Sequence, residues 1–270
     1  EICACLVGSE MCIRDSSYRW GVASIVLIVF GWLSGCNFRL AGKDWGVVFL
    51  LSLLRAVTSF SLIIAYQNIA SGVASTIHFM YPLAVALAMM FFFREKKSLL
   101  VILAVLMSLL GAALLSLGEL EAKSGNTMVG LVAACVSVFS YAGYIVGVRT
   151  TRAVQINSTA LTCYVMGLGT IFYLIGAYCT SGLQLVSDGY TWLIILGLAL
   201  PATAISNITL VQAIKYAGPT LTSILGAMEP LTAVVIGVFV FKELFTVNSA
   251  VGIILILLAV SIVVFRRQKS

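Results

Sequence analysis

Charged side chains are scarce in this sequence, and that shortage excludes most functions at once. Only 10% of the residues are Asp, Glu, Lys or Arg, against 61% hydrophobic. Water-soluble domains carry roughly 25% charged residues, so this chain has too few polar groups to cover a water-facing surface. Histidine occurs once, which excludes a polyhistidine metal site. No H-E-x-x-H, G-x-S-x-G or G-x-x-x-x-G-K-[ST] pattern is present, so the usual frames for zinc hydrolysis, serine acyl transfer and phosphate cradling are missing. The residues therefore imply no enzyme, no metal and no cofactor. Of the seven cysteines, Cys36, Cys135, Cys163 and Cys179 lie in or beside apolar runs without ligand spacing, and read as small buried hydrophobes. The net charge of +6 does not point to nucleic acid, because the basic residues sit in short loops between apolar runs.

Those apolar runs are what the sequence has in abundance. Nine segments stand out, at 17–36, 46–67, 70–93, 98–118, 127–148, 159–181, 189–213, 219–241 and 248–265. A bilayer span takes about 20 mostly apolar residues. In lipid every backbone N–H and C=O must be satisfied within the protein, so such runs are helices. The fold class is therefore all-α and integral to the membrane, with the lipid bilayer as its first partner. Glycine, at 23 residues, suits close helix packing in lipid.

Loop charge sets an expected orientation. With the C-terminus cytoplasmic, alternation collects Arg39, Lys43, Arg94, Lys96, Lys97, Arg149, Arg152, Lys215, Arg266, Arg267 and Lys269 on the inside. Lys123 and Lys242 lie opposite, with Arg14 and Arg19 near the N-terminus. The positive-inside rule reads this asymmetry directly.

The two halves match at an offset of 148 residues (230 − 82). Pro82 maps onto Pro230, Ser75 onto Ser223, Glu95 onto Glu243 and Tyr81 onto Glu229. The stretch YPLAVALAMMFFFRE aligns ungapped with EPLTAVVIGVFVFKE. The loop after Glu95 is expected inside and the loop after Glu243 outside, so the repeats are inverted, a hallmark of transporters with sites near the midplane. The expected repeats are 17–118 and 127–266. The second has five spans and the first four. Where the first repeat's opening helix should end, residues 1–16 read EICACLVGSEMCIRDS, which is expected to be a foreign segment replacing that helix.

The stretches AYQNIASGVASTIHFMYPLAVALAMMFFFREKKS (65–98) and VQAIKYAGPTLTSILGAMEPLTAVVIGVFVFKELFT (211–246) resemble the EamA family of the drug/metabolite transporter superfamily. The resemblance covers roughly 17–266 and is most specific at the paired helix–Pro–helix–acidic patterns. It implies a ten-helix permease of two five-helix repeats around a central cavity, here with about nine helices. The implied cargo class is amino acids, other metabolites or drug-like compounds. The implied location is the cytoplasmic membrane.

Ionisable residues inside a span cost about 2.5–3.5 kcal/mol each on insertion scales, so the few present are the site candidates. Glu229 is the leading one, as a binder of a substrate amine, a carrier of a coupling proton, or a partner of Arg55. Arg55, deep in the second segment, is a candidate for an anionic substrate group or for Glu229. His78 titrates near neutral pH in its free state, and Tyr81, three residues on, shares its helical face. Tyr141, Tyr144 and Asn207 are weaker cavity candidates, since helix packing alone can satisfy them. Pro82 and Pro230 are expected hinges, because proline removes a backbone donor. The function that follows is a secondary transporter of a small-molecule cargo. A non-transporting membrane scaffold or receptor is the rival, and the sequence leaves monomer and homodimer open.

Overall fold

The computed structural model describes residues 9–93, 99–116, 125–180, 192, 195–197, 199–226, 228–229, 231–232 and 247–268. Within those residues the chain is helical, with turns and no strand. The helices are α1 (Ser9–Leu33), α2 (Trp45–Asn68), α3 (Ser71–His78), α4 (Tyr81–Phe92), α5 (Leu99–Ser116), α6 (Thr127–Thr150), α7 (Ser158–Thr180), α8 (Ser206–Ala217), α9 (Pro219–Leu225) and α10 (Val247–Gln268). A 3-10 turn, Arg152–Gln155, joins α6 to α7, and a π-helical stretch, Ala199–Ile205, leads into α8. Five helices among the described residues are long and apolar enough to cross a membrane: Trp45–Asn68, Gly72–Phe92, Thr127–Thr150, Ser158–Gly176 and Ile195–Ala217. Outward-facing apolar side chains are the norm on them and on the shorter apolar helices; Trp32 is 78% exposed and Leu99 84%. Water would penalise such a surface, whereas hydrocarbon does not.

Three elements depart from the sequence pattern for local reasons. The first helix was expected over 17–36 but runs from Ser9 to Leu33. Its end is a Schellman turn: Gly35 adopts φ +66°, the Gly35 N–H donates to Trp32 C=O at 3.2 Å, and the Cys36 N–H donates to Gly31 C=O at 2.7 Å. A left-handed residue of this kind ends a helix, and glycine holds it without a Cβ clash. The segment 70–93, expected as one span, is long and apolar enough to cross a membrane as Gly72–Phe92, but its regular bonding is interrupted between α3 and α4. Pro82 has no N–H to give the His78 carbonyl one turn earlier, so the chain closes with shorter bonds, Met80 N–H to Ile77 C=O at 2.9 Å and Leu83 N–H to Met80 C=O at 3.0 Å. Pro82 then sits in the first turn of α4, where its missing donor costs nothing. The seventh segment, expected over 189–213, carries Pro201 within its π-helical stretch and continues to Ala217; such stretches recur where the regular bond ladder is interrupted. Within the expected span at 219–241, residue 227, Pro230 and residues 233–241 lie outside the described residues, as do the pairs Arg94–Glu95 and Lys242–Glu243.

The chain forms two compact units, Glu1–Ile63 with Gly147–Tyr216, and Ile64–Val146 with Ala217–Ser270. In the first, α1 packs along α7 and the π-helical stretch. Its core gathers Trp20, Leu27, Met166 and Tyr173, with Trp20 and Tyr173 edge to face at 5.1 Å. In the second, α5 packs along α10, and α9 packs against α4. Ala86, Met90, Val105, Ile224 and Ala259 form its core. The α5–α10 contact is close because Gly111 presents no side chain; a Cβ there would lie 2.7 Å from the Gly252 carbonyl oxygen and 2.7 Å from Ile256. Small residues at helix contacts let backbones approach in this way.

Candidate functional site

The second unit holds a polar-aromatic cluster built on three helices. His78 closes α3, Tyr81 opens α4, and Ser137, Tyr141 and Tyr144 follow one another along one face of α6 at spacings of four and three residues. The break before Pro82 does not separate His78 from Tyr81: their rings lie 5.6 Å apart. Tyr141 stacks on His78 at 5.5 Å and meets Tyr81 edge to face at 4.7 Å. Tyr144 lies parallel to Tyr141 at 6.3 Å. These separations are those at which aromatic rings attract beyond mere burial. Tyr81 and Tyr144 are buried, and His78 and Tyr141 half-buried.

The cluster has a hydrogen-bonded anchor. His78 Nδ1 and Ser137 Oγ lie 2.9 Å apart, and the Ser137 hydroxyl donates to Ala134 C=O at 2.6 Å. Below it, Tyr66 and Ser75 hydroxyls are 3.1 Å apart, tying the end of α2 to α3.

Tyr81 reaches a second interruption. α9 ends at Leu225, the Gly226 N–H returns to Thr222 C=O at 3.0 Å, and the Glu229 N–H reaches only three residues back, to Gly226 C=O at 3.0 Å. The Tyr81 hydroxyl lies on Gly226, in the volume a Cβ would take. At the 148-residue offset Gly226 is the counterpart of His78, and Glu229 of Tyr81. The two broken segments of the halves thus meet within this unit. Glu229 itself is exposed.

The remaining candidates lie in the first unit. The Arg55 guanidinium carbon sits 5.5 Å from the centroid of the Trp20 ring, in the range where a cation is attracted to an aromatic face. Arg19, placed by the loop pattern at the outer end of the first span, is buried within α1, next to Trp20 in sequence. Asn207 turns its amide onto its own helix, Nδ2 donating to Thr203 C=O at 2.7 Å. At the end of the same helix, buried Lys215 donates through Nζ to Ile156 C=O, while Arg149 Nη1 donates to Lys215 C=O at 2.6 Å.

Sequence reasoning thus selected His78, Tyr81, Tyr141 and Tyr144, which the fold brings together. It missed Ser137 and Gly226. Ser137 could have been found one turn before Tyr141, and Gly226 by applying the repeat offset to His78. Among the described residues no three His, Cys, Asp or Glu side chains gather as metal ligands would.

Comparison with known proteins follows this geometry. A family model described as the EamA-like transporter family matches residues 13–117 and 128–265. An uncharacterized transporter of Archaeoglobus fulgidus is 28% identical over 238 residues, which cover 87% of this chain and 83% of the relative. A solved crystal structure of a protein superposes with a TM-score of 0.82 at 17% identity, over 96% of this chain and 90% of the other. That likeness concerns the fold alone.

Proposed function

Because the chain belongs to the EamA-like transporter family, and is thus a multi-pass membrane transporter and not an enzyme, we propose that it is a secondary permease for a small metabolite. Alternating access between two inverted repeats, 17–118 and 127–266, would carry the cargo past a midplane site. The cargo class is amino acids or drug-like compounds, and the membrane is the cytoplasmic one with the C-terminus inside.

The observation that carries this reading is the meeting of the two interrupted segments. Glycine- or proline-interrupted helices at corresponding positions of two halves are where transporters build their sites, because the freed backbone groups and half-helix ends can face a solute. Here α3–α4 breaks at Phe79–Met80 and α9 ends beside Gly226, and Tyr81 bridges them. His78, Tyr81, Tyr141 and Tyr144 supply the aromatic wall, and Glu229 follows the second interruption as the carboxylate of the site. Arg55 and Asn207 are proposed as further substrate-binding or coupling residues. Pro82 and Pro230 are proposed as the hinges, and Pro82 already stands at a helix break. The absence of a nucleotide-cradling motif points to an ion or cargo gradient as the driving force.

The test is comparative metabolite profiling of medium and cytosol from bacteria expressing the chain, its Glu229→Gln variant, or neither. A metabolite redistributed by the wild-type chain and not by the variant is the expected result. Equal redistribution by both would confine Glu229 to packing. No redistribution by membrane-inserted, folded protein would overturn the transport reading in favour of a scaffold.

A further inference from the structure

We infer that one end of the first unit is a binding site for an anionic phospholipid, with Arg149 and Arg152 taking the headgroup phosphate and Arg39, Lys43 and Lys215 adding charge beside them. The inference rests on the membrane class and on contacts within this unit, and needs no cargo.

The fold gathers these cations from segments far apart in the chain. Arg152 Nε lies 3.9 Å from Asp44 Oδ1, which ties the turn after α6 to the loop before α2. The Tyr164 hydroxyl donates to Phe38 C=O at 2.7 Å and fixes the same loop to α7. Arg149 Nη1 donates to Lys215 C=O at 2.6 Å, and Lys215 Nζ donates to Ile156 C=O, so the end of α8 closes on the same turn. The loop 34–44, the turn 149–157 and α8 together carry Arg39, Lys43, Arg149, Arg152 and Lys215 against a single carboxylate, Asp44.

That excess of positive charge is not neutralised among the described residues. Of the five cations only Arg152 meets a carboxylate. Arg149 and Lys215 are held by backbone carbonyls, which orient a cation without cancelling its charge. Arg39 and Lys43 are exposed, and their side chains make no hydrogen bond or ion pair among the described residues. A guanidinium has five N–H donors. Arg149 uses one on Lys215 C=O, and its exposed side chain keeps the others for an outside acceptor. A phosphate suits that need, since arginine binds it through two parallel N–H···O contacts.

Position selects a lipid over a free anion. Four spans have ends here: Trp45–Asn68 and Ser158–Gly176 begin, and Thr127–Thr150 and Ile195–Ala217 finish. The cations therefore stand at the depth of the headgroups, where Lys and Arg meet anionic lipid. Trp45 marks the same level. It is 48% exposed and lies edge to face with Tyr164 at 5.5 Å, in the manner of tryptophans at membrane interfaces. The cytoplasmic leaflet is the anionic one, and this is the end proposed to lie inside.

The test is native mass spectrometry of the full-length chain in detergent micelles, titrated with dioleoylphosphatidylglycerol or dioleoylphosphatidylcholine. Phosphatidylglycerol is expected to bind more tightly. Each basic residue near an anionic surface strengthens binding about fivefold, so Arg149→Gln with Arg152→Gln should weaken phosphatidylglycerol about 25-fold and leave phosphatidylcholine unchanged. Arg149→Lys with Arg152→Lys keeps the charge and should retain most of the affinity. Because Arg149 also holds the end of α8, Arg39→Gln with Lys43→Gln is the second variant. It removes two charges that hold no other residue in place, and a loss of the same order is expected. Equal binding of the two lipids, or wild-type phosphatidylglycerol affinity in either glutamine variant, would overturn the proposal. Displacement of phosphatidylglycerol by an equal concentration of inorganic phosphate or glycerol 3-phosphate would overturn it in favour of a soluble anion. The measurement involves no cargo, so its failure leaves the transport reading standing.

Discussion

The hydroxyl of Tyr81 occupies the space that a side chain on Gly226 would need. One residue opens the helix after the first interruption, the other follows the helix before the second, and neither can change size without the other. Gly226→Ala is therefore expected to push the Tyr81 ring off its neighbour and to destabilise the protein. Tyr81→Phe removes the clashing oxygen and should relieve the defect. In a double-mutant cycle by denaturation in mixed micelles, the two changes should couple by about 0.5–3 kcal/mol. Simple additivity would show that the contact carries no energy.

Helices α5 and α10 can approach closely only while position 111 has no side chain. Gly111→Val would drive a branched side chain into the Gly252 carbonyl and Ile256. Overpacking of this kind costs typically about 1–3 kcal/mol. A thermal unfolding series in detergent should place Gly111→Val well below Gly111→Ala, and Gly111→Ala below wild type. A Gly111→Val protein as stable as wild type would mean the helices part at no cost.

Arg55 over Trp20 gives a measurable electrostatic contact inside the first unit. Cation–π pairs are worth about 0.5–1 kcal/mol when exposed and ~2 kcal/mol or more when desolvated. Arg55→Met keeps much of the stem's packing but loses the cation, and Trp20→Phe weakens the ring face. The pair is expected to show coupling in that range when unfolding is followed by a tryptophan-independent probe such as circular dichroism. Zero coupling would assign Arg55 to other contacts.

Lys215 is held between two carbonyl contacts at the end of α8: its Nζ donates to Ile156 C=O, and its own carbonyl accepts from Arg149. Lys215→Met would leave the half-buried Ile156 carbonyl without this donor, at a cost near the lower end of the about 1–3 kcal/mol of an unsatisfied buried group. Arg149→Ala should cost less, because the Lys215 carbonyl lies at a helix end where water can replace the guanidinium. The measurement is stability of both variants against wild type, and the reverse order would refute this assignment of roles.

The membrane class was legible in the sequence because it depends on quantities that add along the chain. Scarce charge and long apolar runs leave helices in lipid as the only way to satisfy the backbone. The missing N–H of Pro82 was legible for the same kind of reason, since its effect on hydrogen bonding is confined to one turn. The ends of the first helix were less legible: a polar start gave no warning that Ser9 opens it, and Gly35 looks like any other membrane glycine until its φ is known.

The site divides along the same line. His78 and Tyr81 were paired from a spacing of three residues, and Tyr141 and Tyr144 likewise, each by the local geometry of a helix. That the two pairs stack on one another was beyond reach, because α3–α4 and α6 meet only through packing. Ser137 shows this most clearly. As a sequence letter it is one of many serines in an apolar run, yet its hydroxyl lies 2.9 Å from His78 Nδ1.

By itself, then, the sequence determined that this chain lives in a bilayer and repeats itself, since composition and offset are local or additive properties. Only the tertiary structure decided that Tyr81 lies on Gly226 and that Ser137 anchors His78, because contacts between distant segments depend on how helices pack, and packing is a property of many side chains fitted together at once.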